Sequence, residues 1–104
     1  MTLYFLKASP SGFIKIGRSS NFDKRLSEIR RATTDEAVEV LAIFHADADS
    51  IISRERELHI DLSGSNFKGE WFHDTPEVRE ALASCDREFN KSWEIEDTGV
   101  SCPD

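Results

Sequence analysis

The chain has 104 residues and a mass of 11.8 kDa, enough for one domain and too little for a second domain or a barrel. Its 13 lysines and arginines against 20 aspartates and glutamates leave a net charge of -7, which excludes a uniformly basic nucleic-acid binder. The charge is unevenly spread, however: residues 1–31 hold seven basic and two acidic residues, whereas the remainder holds six basic and eighteen acidic. The run Leu3–Ala8 is apolar and aromatic and predicts a strand. Ser9-Pro10-Ser11-Gly12 is a dense turn signal, and Phe13–Gly17 predicts a second strand, so the chain opens on a hairpin. Ser19, Ser20 and Asn21 are N-cap candidates for a helix ending near Ala32, with Phe22, Leu26 and Ile29 on one face. Residues 36–45 predict a third strand with much of both faces covered, since apolar residues occupy both alternating sets.

Asp47, Asp49 and Ser50 offer caps to a second helix over about 50–62, which Ser63-Gly64-Ser65-Asn66 ends. Thr75 before Pro76 caps a third helix whose stripe is Val78, Leu82, Cys85 and Phe89. The short run Gly69-Glu70-Trp71-Phe72 lies between them, with Trp71 and Phe72 expected in the core. The expected order is β-β-α-β-α-(β)-α. This is a small single α/β (α+β) domain with a three-stranded, mainly antiparallel sheet flanked by helices. Its expected limits are 1–93, with an acidic, flexible tail over 94–104.

No run of residues reaches the roughly 20 apolar positions of a membrane span, and no secretory leader is visible. Cys85 and Cys102 show neither CxxC nor zinc-ligand spacing, which fits reduced thiols in a cytoplasm, and Asn90-Lys91-Ser92 reads as a chance sequon.

Glu55 is the most informative position. Ile51, Leu58 and Leu62 share its line on the second helix, so the spacing places a carboxylate among core residues. Burying it unpaired is costly. Either it faces a cleft where it holds a metal, or the helix is rotated so that Ile52 and His59 face inward and Glu55 pairs with an arginine at the rim. His59, four residues on, lies on the same face. It can share a metal, assist proton transfer, or simply sit at the edge of the core. Tyr4 and Lys15 fall on the two strands of the hairpin. A nearby cation lowers a tyrosine's pKa and makes a phenolate base accessible, although an aromatic strand residue beside a surface lysine is also common. Arg25 lies three residues after Phe22, where it can clamp a phosphate or belong to a solvated basic face.

Together these residues resemble the GIY-YIG nuclease superfamily. Thr2-Leu3-Tyr4 stands in place of GIY, keeping only the tyrosine, and Lys15-Ile16-Gly17 in place of YIG, with lysine for tyrosine. Arg25 matches the family's helix arginine and Glu55 its metal-binding glutamate. The spacing Glu55-x-x-x-His59 followed by Gly69-Glu70-Trp71-Phe72 is similar to the phage-associated branch named after a T-five phage open reading frame, related to the meiotically up-regulated gene 113 domain. The first helix lacks the histidine that some members carry.

The resemblance implies a phage or prophage DNA endonuclease that hydrolyses phosphodiester bonds with one Mg²⁺ or Mn²⁺. Glu55 would hold the metal, Tyr4 assisted by Lys15 would take the proton from the attacking water, Arg25 would hold a phosphate oxygen, and His59 could substitute in proton handling. Gly17, Arg18 and Lys24 would join the substrate-binding surface, touching DNA backbone with little sequence readout. The alternative is a catalytically inactive protein of the same fold serving as a protein-binding or inhibitory module, which the acidic remainder and the reduced first motif favour. Binding nucleic acid without cleavage is a third reading.

Overall fold

The computed structural model describes residues 1–89; the tail expected over 94–104 lies outside the described residues. Strand β1 (Thr2–Ser9) pairs antiparallel with β2 (Ile14–Ser19), as expected of the opening hairpin. β1 also pairs antiparallel with β3 (Ala37–His45), which places it inside the sheet. Leu3, Tyr4, Phe5, Leu6 and Ala8 are all fully buried. A strand covered on both faces needs such a nearly continuous apolar run.

The covers are helices. Helix α1 (Phe22–Ala32) is capped by Asn21, whose side chain accepts from the Lys24 amide at 3.3 Å. It sends Phe22, Leu26 and Ile29 onto Tyr4, Leu6, Ala8 and Val38. Helix α2 (Ala48–Asp61) is capped by Asp47, and α3 (Pro76–Phe89) begins where Thr75 Oγ1 accepts from the Val78 amide. These two cover the opposite face, packing Ile51, Leu58, Leu62, Val78 and Cys85 against Leu3, Phe5, Ile14, Ile16, Phe44 and Phe72. The result is a three-layer α/β/α sandwich.

Two expectations need correction. Among the described residues the sheet has five strands, not three, in the order β3-β1-β2-β5-β4. The added strands, β4 (Asn66–Lys68) and β5 (Trp71–Phe72), hold three and two residues, too short to show a period of two. Gly69, at φ +59°, makes their turn, and the Asn66 side chain closes it by donating to the Gly69 and Trp71 carbonyls. Second, β3 is a sheet edge and is only partly covered: Val38 and Phe44 are buried, but Val40 and Ile43 are 37% and 39% exposed. A bulge explains the mixed pattern. Phe5 faces Ala42 whereas Leu6 faces Val40, so Leu41 is extra and the strand changes face there. Phe44 therefore joins the α2–α3 core and Val38 the α1 core.

Candidate active site

β5 pairs with β2 only at Ile14 and Lys15. Beyond that point the edge of β2 has no strand neighbour among the described residues, and two other groups take its hydrogen bonds. The Ile16 amide donates to the Glu70 carbonyl at 3.0 Å, and the Ile16 carbonyl accepts from His59 Nε2 at 3.0 Å. The candidate residues gather around this open stretch.

Tyr4 and Gly17 face each other across β1 and β2. The missing side chain at Gly17 is what makes room for the phenol. A Cβ there would lie 2.5 Å from the Tyr4 hydroxyl oxygen and 2.8 Å from Glu70 Oε1. Tyr4 is fully buried and packs against Phe22, with ring centroids 5.5 Å apart. Among the described residues its hydroxyl has no hydrogen-bond partner, and neither does Glu70 Oε1. Lys15 Nζ lies 3.3 Å from Glu70 Oε1 and 5.0 Å from the Trp71 ring centroid.

The expected lowering of the tyrosine pKa by Lys15 is not met. Burial pushes Tyr4 above its ordinary value, and the nearby Glu70 and Glu55 charges add to that, while Arg25 pulls the other way. The ammonium of Lys15 is already neutralised by Glu70, so it offers the phenolate little. The Arg25 guanidinium is close enough to act on Tyr4 electrostatically, but no hydrogen bond of sound geometry joins them. Arg25 instead meets Glu28 at 3.5 Å and stays largely exposed.

Glu55 stands on the inner line of α2, its side chain 14% exposed, with Ile51, Leu58 and Leu62 buried along the same line. The helix is therefore not rotated away, yet the carboxylate does pair with an arginine: Arg18 Nε donates to Oε1 at 3.2 Å. Its other oxygen is 3.9 Å from His59 Nε2. Because a carbonyl only accepts, the bond to Ile16 fixes the His59 proton on Nε2. The ring also lies edge-on to Phe72. His59 thus sits at the edge of the core and holds the β2 backbone beside Gly17.

Tyr4, Gly17, Lys15 and Glu70 accordingly meet under α1, with Arg25 above them. Glu55, Arg18 and His59 meet on the α2 side, and the open edge of β2 joins the two groups. Lys24 is exposed on α1. Among the described residues no group of three or more His, Cys, Asp or Glu side chains could hold a metal ion together. Glu70 is the residue that sequence reasoning missed. Its only signal was an acid set between a turn glycine and two aromatic core residues.

A family model, that of the T5orf172 domain, matches residues 1–88. No curated protein and no solved structure matches the chain. Among the described residues no helix is long and apolar enough to cross a membrane.

Proposed function

The chain belongs to the T5orf172 domain family, which is associated with nuclease-like, DNA-interacting proteins, and from that premise we propose that it is a metal-dependent DNA endonuclease of the phage or prophage type. The observation that carries the reading is the Tyr4 hydroxyl, buried beside Glu70, Lys15 and Arg25 and without a hydrogen-bond partner among the described residues. A fully buried hydroxyl left unpaired costs about 1–3 kcal/mol, and such a cost is tolerated where a ligand completes the bond.

Tyr4 enters the reaction as the phenol, because its pKa is raised. It can accept a proton from an attacking water only as it gives up its own, and Glu70 Oε1, ion-paired with Lys15 at 3.3 Å, is the carboxylate oxygen that would receive it. Lys15 holds Glu70 in place. Arg25, exposed and paired only weakly, is free to turn onto a phosphate oxygen and stabilise charge there. Glu55 fits a Mg²⁺ or Mn²⁺ bound by one carboxylate, with waters and phosphate oxygens completing the shell, and the cation would neutralise charge at the scissile phosphate. Arg18 would release Glu55 and turn to the DNA backbone, joined there by Lys24. His59 keeps its place as the residue that positions β2.

The test is nicking of supercoiled plasmid at low salt. The folded protein should nick with Mg²⁺ or Mn²⁺ and stop in EDTA. A folded protein that nicks with neither metal would instead support a silent binding or inhibitory module.

A further inference from the structure

Beside the candidate site, a cleft of about 550 Å³ runs between α1 and the β4–β5 hairpin. Its volume lies within the range of small-ligand sites. Its two ends differ in chemistry. Along β2 the side chains pass from Phe13 to Lys15 toward Gly17, and along α1 Arg25 precedes the loop that carries Asp35. The cations therefore stand at the end nearest Tyr4. Trp71 lies at the Lys15 end, its ring centroid 5.0 Å from the ammonium, and the other part is walled by Phe13 and Phe67. Phe67 stacks on Phe13 with ring centroids 4.2 Å apart and an interplanar angle of 12°, yet remains 53% exposed. A large aromatic ring stacked on a neighbour and still half open to solvent can serve as a stacking platform.

Two acids also line the cleft and would repel a second phosphate. Asp35 is engaged by the Ser11 amide and hydroxyl, at 3.1 and 2.9 Å. Glu28 stands beside Arg25. The cleft thus offers Arg25 for one phosphate and aromatic surface for what adjoins it.

We propose that this cleft takes a nucleobase: the base adjoining the phosphate held by Arg25, unstacked from its neighbours and laid against Phe67. The preferred substrate is then single-stranded DNA, or DNA with an unpaired nucleotide, rather than an intact duplex. Placing the phosphate at Arg25 rests on the nuclease reading. The base pocket itself is tested without cleavage.

The experiment is binding in EDTA by the Trp93→Phe variant, in which Trp71 is the only tryptophan. The ligands are a short oligothymidylate, an abasic strand of the same length, and a duplex of the same length. The oligothymidylate should quench Trp71 and bind about 5- to 100-fold more tightly than the abasic strand. Phe67→Ala should remove that difference and Phe67→Tyr should keep it, with circular dichroism confirming that both fold. Equal binding of oligothymidylate and abasic strand, or tighter binding of the duplex, would overturn the proposal. Loss of nicking in the separate plasmid assay would refute the nuclease reading and leave this binding difference standing.

Discussion

Replacing Tyr4 by phenylalanine removes one oxygen and leaves the ring, its contact with Phe22 and its place over Gly17 unchanged. In most proteins the loss of a buried hydroxyl is destabilising because a partner is left behind. Here no group among the described residues makes a hydrogen bond of sound geometry with the hydroxyl. An unpaired buried hydroxyl costs about 1–3 kcal/mol. Arg25 recovers part of that electrostatically, so Tyr4→Phe should stabilise the fold by about 1 kcal/mol. For a domain of this size that raises Tm by about 4–8 °C. The same change should lower nicking by about 10²–10⁴-fold, the range for a lost proton-transfer group. Thermal unfolding followed by circular dichroism reads the first effect and plasmid nicking the second. A Tm that falls by several degrees would show that the hydroxyl is satisfied in the folded chain, and the idea of a poised, uncommitted phenol would fail.

Tyr4 is the only tyrosine, so its ionisation can be followed directly by ultraviolet absorbance. Its raised pKa means that its contribution to stability is intact below about pH 10 and lost as pH climbs through the folded value. Glu70→Gln should move the folded midpoint down, since the Glu70 charge disfavours the phenolate; an unmoved midpoint would place Glu70 outside the site. Gly17→Ala would put a methyl 2.5 Å from the Tyr4 oxygen and 2.7 Å from its Cζ, and a fully buried ring cannot yield. It should cost about 1–3 kcal/mol in urea unfolding, with an unchanged midpoint counting against the packing described. Asp74 ties Lys7 of β1 to Arg79 of α3, and Arg79, then Lys7, hold its carboxyl well below the usual range. Its stabilisation is present above about pH 4 and lost on acidification. Because the pair is partly exposed, Asp74→Asn should cost only about 0.5–1 kcal/mol at neutral pH, a difference that fades in acid.

Much of this was legible before any coordinates. Asn21, Asp47 and Thr75 announce their helices because a cap is a local chemical requirement. The lines Phe22-Leu26-Ile29 and Val78-Leu82-Cys85-Phe89 carry the helical period into the two cores. What escaped depends on long-range pairing. β4 and β5 are too short for a pattern and exist because β2 offers an edge to Phe72 and Trp71. The bulge at Leu41 turned one strand into two faces, which alternation alone reads as burial on both sides. The sign of the Tyr4 shift is set by burial in the sheet's interior, and Glu70, a residue distant in sequence on a hairpin the pattern does not show, adds to it.

The central claim is that Glu55 serves the same reaction as the residues under α1. Its most direct test is the single-turnover nicking rate of Glu55→Ala against the unaltered chain, in Mg²⁺ or Mn²⁺ at low salt, with circular dichroism confirming the fold. A rate at least about 100-fold lower is expected if Glu55 holds the metal. A folded Glu55→Ala protein nicking within about threefold of the unaltered chain would contradict the account.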